Sequence, residues 1–438
     1  MKRIAIIGSG ISGLGAAYAL KDRADVTVFE ARNRAGGHAH TVRVDYDGKP
    51  IDVDVGFIVY NGLNYPNLIG FFDALGVATE PSDMSFAVSN PTGYEWASSV
   101  KGIFAQKRNL FRPAFHRFWR TILKFNDIAR SELAQGNVGD ASLGTWLDAH
   151  GFNEDFKQNY ILPMAAAIWS TPERGVLDFP ATSFFQFFEN HRLMHKERPK
   201  WRTVSGGSKS YVSKVSALLG NRIKLDAPVN RVSSFGDKLR VDYGDGANDL
   251  FDDVIFACHS NQTQAILDPE FDEQKFLLGS ARYRPNTVYL HRDPSLMPKR
   301  KAAWASWNVM KGAGEDITLT YWMNRLQNLP NKYPLFVTLN PDTPPASETV
   351  FYKTVFDHPQ FDAPAEAAVR SIKRLQGQGG IWFAGAWLGH GFHEDGLKSG
   401  LSVALSLGGT VPWETDTVET YEAQAERPSI QLVKKAGQ

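Results

Sequence analysis

The sequence predicts an α/β chain: one domain assembled from three separated stretches, and an α+β domain inserted into it in two pieces. Three observations predict it. Ile4-Ala-Ile-Ile runs into Gly8-Ser-Gly10-Ile11-Ser12-Gly13, a helix-like stretch to Leu20 and a second apolar run, Val26 to Phe29, that ends on Glu30. Helix and strand signals return together in the middle of the chain and again near its end. Between these regions, one stretch reads as mostly helical and rich in Phe, Trp and Tyr, and another alternates like strands.

The first region carries the strongest signal. Strand, tight turn, helix, strand, acid is the order of a dinucleotide-binding βαβ unit, so this domain is Rossmann-like. Gly8 permits the sharp turn, Gly10 lets backbone approach a pyrophosphate, and Gly13 lets helix pack on strand. The helix start then offers free N–H groups and a positive dipole end. Glu30 can accept hydrogen bonds from a ribose 2′-OH. Ala31, Arg34 and the glycine pair Gly36-Gly37, followed by His38, extend the motif beyond the acid. That extension suits a longer cofactor than NAD, one whose pyrophosphate and flavin need further backbone contact. Asp52-Val-Asp54-Val-Gly56 closes the segment.

The remaining elements follow in order. A helix over Phe111–Phe125 places Phe111, Phe115, Phe118, Ile122 and Phe125 on one face and Arg117, Arg120 and Lys124 on the other, with no acid from Lys101 to Lys124. That pattern predicts either a core-packed surface helix or a basic amphipathic helix that meets an anionic membrane surface or a fatty-acid carboxylate. A second aromatic cluster, Phe179 to Phe188, suggests core or an apolar tunnel. Val204-Ser-Gly206-Gly207 opens a helix from Ser208 to Leu219, and strands are expected at 222–225, 238–243 and 254–257. Five alternating runs between 287 and 356 predict one largely antiparallel sheet. A strand at 379–384, then Gly385-Ala386-Trp387 and Gly391-Phe-His393-Glu394-Asp395-Gly396-Leu397-Lys-Ser399-Gly400, form a second glycine-bounded helix start. It could stabilise charge on a reduced flavin.

With these motifs the chain resembles the flavin-containing amine oxidase superfamily, which includes monoamine and polyamine oxidases, protoporphyrinogen oxidase and carotenoid desaturases. The resemblance rests on Gly8, Gly10, Gly13, Glu30, Arg34, Gly36, Gly37, Gly206, Gly207, Phe383, Ala384, Gly385, Gly396, Ser399 and Gly400. It implies FAD in an extended pose and hydride transfer from a C–N or C–C bond to flavin N5. The expected FAD-binding domain covers 1–60, 204–270 and 370–415, the substrate-binding domain 61–203 and 271–369, and a polar tail 416–438. Cofactor contacts are expected from Gly8, Gly10, Ile11, Ser12, Gly13, Glu30, Ala31, Arg34, Gly36, Gly37, His38, Val229, Gly385, Ala386, Gly396 and Leu397. Two positions depart from the family pattern: His38 stands where Arg is common, and Ala386 where an acid is common. Both match a narrower bacterial group with a Gly-Ala-Trp…Gly-Phe-His-Glu-Asp-Gly signature, associated with fatty-acyl modification.

The expected function is therefore FAD-dependent desaturation of a fatty-acyl or other apolar lipid substrate. Redox-neutral double-bond isomerisation, amine oxidation and a non-catalytic dinucleotide-binding role remain alternatives. His393 is the first candidate base, with Glu394 beside it, and either could instead hold the cofactor or cap the helix. Lys301 is a candidate counterpart of the amine-oxidase lysine that holds a water near N5. The acceptor of the electrons (oxygen, a quinone or a partner) is not specified by any motif.

Composition narrows the classes. The chain has 438 residues, 43% of them apolar, and a formal charge of +1, so nothing global calls for nucleic acid. The single cysteine, Cys258, excludes an internal disulfide. The histidines show no metal-ligand spacing, and no metal site is expected. The N-terminal apolar run stops at Gly8, too short for a signal-peptide core. A cytoplasmic protein is expected, with peripheral contact to the inner membrane.

Overall fold

A computed structural model describes residues 1–91, 93–169, 173–312 and 317–421. Residues 422–438 of the expected polar tail lie outside the described residues. The chain divides into two compact units, one formed by Met1–Gly37, Val212–Ala281 and the stretch from Ala367 onward, the other by His38–Tyr211 and Arg282–Glu366.

The first unit is built on a five-stranded parallel sheet. Its strands run in the order Ile223–Lys224, Asp25–Phe29, Arg3–Ile7, Asp253–Phe256, Ile381–Phe383. Ile4 pairs with Val26 on one side and Asp253 on the other, so the first strand lies mid-sheet. Both neighbours follow it in the chain, one directly after the first helix and the other from the middle region, and they flank it on opposite sides, which opens a crevice beyond its carboxyl end. Near-continuous apolar runs suit strands covered on both faces; Ile4, Ala5, Ile6, Val254, Ile255 and Phe256 are all fully buried. A three-stranded antiparallel sheet, Val229–Phe235, Lys238–Tyr243 and Ala247–Phe251, packs into the same core through Val232, Val241 and Phe251. Every residue of the helix Ile11–Leu20 is buried, because the helix His393–Ser406 packs along it. The expected strand at 379–384 is shorter, Ile381–Phe383. Gly379 and Gly380 adopt positive φ in a 3-10 turn that cannot join a ladder.

The second unit is α+β. Its seven-stranded sheet runs Val350–Pro359, Tyr283–His291, Phe336–Leu339, Ile317–Trp322, Trp307–Lys311, Phe86–Ser89, Glu95–Ala97. The five expected strands are there and antiparallel, but two more come from the stretch read as helical, and Trp307–Lys311 pairs parallel with Phe86–Ser89. The helix expected from Phe111 begins at Pro113, whose fixed φ suits a first turn, and runs to Gln135. Phe115, Phe118, Ile122 and Phe125 lie on its buried face; Phe111, expected on that face, instead ends the preceding 3-10 turn, ahead of the helix, and is exposed. Phe184, Phe185, Phe187 and Phe188 are 0–3% exposed and stack among Trp146, Trp169 and Phe125. Both aromatic clusters are therefore core, as the core-packed reading of this helix expects. No described helix is long and apolar enough to cross a membrane.

The unit boundaries differ from the sequence-based ones in one instructive place. The hairpin Thr41–Tyr46 with Lys49–Asp54, and the strand Val59–Asn61, belong to the second unit. Val59–Asn61 pairs with Trp201–Val204, and Asp54 hydrogen-bonds Gln327.

Candidate cofactor site

The first unit holds the candidate cradle. Gly8 has φ +106, and a Cβ there would lie 2.8 Å from Ala257 O, so only glycine fits. A Cβ at Gly13 would lie 1.9 Å from Gly8 O; the helix start therefore rests directly on the turn. Gly10 differs. Its φ is −67, it caps the helix Ile11–Leu20 without a side-chain bond, and nothing lies within 4 Å of where its Cβ would be. The space before this helix start is open.

Glu30 closes the turn. Its carboxylate accepts from Ser9 N at 3.1 Å, from the Ser9 hydroxyl, and from Arg32 N at 3.0 Å. A carboxylate can accept about four hydrogen bonds, so it keeps capacity for a ribose hydroxyl. Ala31, next in the chain, is exposed. Gly36 N donates to Ser9 O at 2.9 Å, and Arg34 donates twice to Gly37 O at 3.1 Å. A Cβ at Gly37 would lie 3.1 Å from Gly10 Cα. The second glycine pair is thus stitched onto the first loop. Val229 opens its strand opposite Tyr243, whose ring packs 4.7 Å from that of Phe29. Glu30 O accepts from nearby Ala227 N.

At the other end, Gly385 N donates to Ser399 Oγ at 2.8 Å, and Ser399 Oγ donates to Gly396 O at 2.8 Å. The last helix is pressed against the first. Cβ atoms at Gly396 and Gly400 would lie 2.8 Å from Ile11 Cγ2 and 2.1 Å from Ser12 O, while Leu397 fills the gap at Gly15. Gly396 and Leu397 therefore serve helix packing with their side-chain positions. Ala386 lies beside Gly396. The Trp387 indole is buried, and its N–H has no hydrogen-bond partner among the described residues.

The titratable groups of this helix start divide clearly. Asp395 accepts from Phe392 N at 2.9 Å and His390 N at 3.1 Å, so from the third helical position it caps the helix start. Burial drives the His393 imidazole down to about 3 and keeps it neutral. Glu394 is buried at 8% exposure. Cys258 is a filler: burial pushes its thiol up to about 11.

Two residues fall to the second unit. His38 stacks on Phe356 at 4.7 Å, with His358 at 5.8 Å. Lys301 is exposed in a 3-10 turn, its ammonium 5.9 Å above Trp304. An exposed lysine does not suit a buried, water-holding role. The glycine pair Gly206-Gly207 also belongs here. Ser208 N and Oγ, Thr41 Oγ1 and Gln327 Nε2 all donate to the buried Asp54 carboxylate. A carboxylate of the chain itself fills that helix start.

Sequence reasoning missed Ser9 and the Asp54 network, and it named Ser399 without its hydrogen-bonding role. Only Asp395 carried a visible signal, an acid in the first turn after a loop. Among the described residues no cluster could hold a metal. The open helix start at Gly10, the residual capacity of Glu30 and the unpartnered indole N–H of Trp387 fit an extended dinucleotide.

Residues 11–339 match the family described as flavin containing amine oxidoreductase. The chain is 28% identical to flavin-containing amine oxidase A of Sus scrofa over 274 residues, 55% of this chain and 46% of that protein. It thus spans about half the length of the curated relatives it matches. Among solved structures, wild-type putrescine oxidase bound to putrescine aligns at TM-score 0.65 and 17% identity, over 93% of this chain and 98% of that one. A CLA-producing fatty acid isomerase from P. acnes aligns at TM-score 0.62 and 13% identity, over 91% and 97%. At these identities the structural likeness speaks for the fold alone.

Proposed function

The chain belongs to the flavin containing amine oxidoreductases, and from that premise we propose that it desaturates a carbon–carbon bond of a fatty-acyl or other apolar lipid substrate. Its cofactor is FAD. The proposed contacts run from Gly8, Gly10, Ile11, Ser12 and Gly13 through Glu30, Ala31, Arg34, Gly36 and Gly37 to Gly385, Ala386 and Trp387, with Val229 flanking. When bound, FAD supplies a two-electron acceptor for a hydride.

The observation that carries the substrate reading is the helix start His393-Glu394-Asp395. Desaturation breaks two C–H bonds: one leaves as hydride to the flavin, and its neighbour leaves as a proton while the double bond forms. A protein base must take that proton. Asp395 is held as the cap. An imidazole held near 3 is a weak proton acceptor, so His393 is not assigned the proton. Glu394 is the remaining acid, and we assign it the proton. Ala386, uncharged where the family commonly carries an acid, further favours an apolar substrate over a cationic amine.

Redox-neutral double-bond migration is the second reading, supported by the fold shared with the P. acnes fatty acid isomerase. Product analysis separates the two. Desaturation of an unsaturated or methyl-branched fatty acid removes the mass of two hydrogens and consumes acceptor. Isomerisation moves the double bond at constant mass. Glu394→Gln with full flavin content is expected to slow single-turnover flavin reduction by about a hundredfold or more. Unchanged reduction removes the assignment of Glu394.

A further inference from the structure

The second unit carries a surface that neither the fold nor the flavin chemistry uses. No acid occurs between Trp96 and Asn126, while seven lysines and arginines do. The 3-10 turn Lys107–Phe111 projects from this segment, with Phe111 at 88% and Leu110 at 46% exposure. A phenylalanine left in water is unfavourable unless something covers it. The turn is anchored from below. Asn109, fully buried, bonds Gln106, and His116 Nε2 is 2.9 Å from Leu110 O. Phe104 packs on Phe115. The exposed side chains are therefore presented on a fixed base.

The helix Pro113–Gln135 continues that surface. Its buried face is Phe115, Phe118, Ile122 and Phe125. Arg117, Arg120 and Lys124 recur at spacings of three and four on the opposite, exposed face. None of them forms an ion pair with an acid among the described residues. Lys107, Arg108 and Arg112 flank the apolar tip and are exposed as well.

We propose that this turn and helix face dock on an anionic phospholipid bilayer. Leu110 and Phe111 enter the headgroup boundary, and Arg108, Arg112, Arg117, Arg120 and Lys124 meet the lipid phosphates. Charge complementarity selects this occupant. A second copy presenting the same face would meet like charge, and a nucleic acid would leave Phe111 without an apolar environment. The helix does not itself insert, because its apolar face is already core. Contact is shallow, reversible and salt-sensitive.

Vesicle sedimentation of the flavin-loaded protein tests this. Vesicles of equal parts phosphatidylcholine and phosphatidylglycerol are compared with phosphatidylcholine alone. Binding is expected only to the anionic vesicles, falling by about tenfold or more between roughly 0.05 and 0.5 M salt. The pair Leu110→Ser with Phe111→Ser, and separately the triple Arg117→Gln, Arg120→Gln, Lys124→Gln, are each expected to lose about tenfold or more. All these positions are exposed, and an unchanged flavin spectrum verifies the fold. Equal binding to neutral vesicles, no binding, or wild-type binding by the serine pair overturns the proposal. So does a dimer in sedimentation velocity that the serine pair dissociates, since the patch would then join two copies. Loss of vesicle binding with intact turnover sinks only this surface, whereas bound vesicles without turnover sink only the reaction.

Discussion

At the residue scale, the two glycines of the first turn make opposite predictions. Gly8→Ala places a Cβ at positive φ, 2.8 Å from Ala257 O. It is expected to lower the melting temperature of the cofactor-free protein, because both the backbone and the neighbour must give. Gly10→Ala meets no atom within 4 Å and keeps an ordinary φ. It is expected to leave cofactor-free stability unchanged while weakening FAD retention by about tenfold or more, since the methyl enters the space a pyrophosphate needs. Equal melting temperatures for both variants, or undiminished FAD in the second, would contradict the cradle. His393 gives a third test. Burial holds it neutral down to about 3, so its imidazole carbon resonances are expected not to titrate between about pH 5 and 8, and a midpoint near the ordinary 6.5 refutes this. Gly8 was legible in the sequence because a backbone demand leaves no other residue, and Gly10 because it keeps the spacing of the dinucleotide motif. Ser9 and the role of Ser399 were not, because what a buried hydroxyl does depends on partners such as Glu30 and Gly385 that the fold brings to it.

At the element scale, the helices Ile11–Leu20 and His393–Ser406 approach closely enough that Gly400 cannot carry a side chain without moving Ser12. Gly400→Ala is expected to cost about 1–3 kcal/mol, roughly 2–4 °C of melting temperature per kcal/mol; no change in a thermal scan would show that the helices have room. The Asp54 lock makes a pH prediction. Burial lifts its carboxyl from 3.8 to about 6. The folded state therefore holds the proton more tightly than the unfolded chain, and stability falls as pH rises between those values. The protonated form contributes about 3 kcal/mol at most, fully present below 3.8 and lost through about 6. Wild type minus Asp54→Asn in melting temperature should be larger at about pH 5 than at about pH 8, whereas a pH-independent difference would refute the shift. Long periodic helices were legible because each writes its own pattern. Phe86–Ser89 and Glu95–Ala97 were not, because strands this short are fixed by pairing, the first with Trp307–Lys311 far along the chain.

At the scale of the whole molecule, the α/β class and the insertion of an α+β unit were legible from the three separated returns of strand and helix. The division at Gly37 was not. It depends on where the hairpin Thr41–Tyr46 and Lys49–Asp54, a two-stranded sheet of its own, finds its partners, and contacts such as Asp54 with Gln327 join residues far apart in the chain. The family fixes FAD and the fold; the substrate is decided by which bond gives up its hydride. The most direct measurement is the visible spectrum of the purified, oxygen-free protein titrated with unsaturated and methyl-branched fatty acids or phospholipids, and in parallel with putrescine. The account predicts a flavin spectrum that bleaches with one of the lipids and stays oxidised with the amine. Bleaching by the amine alone, or the absence of any flavin after reconstitution, would contradict it.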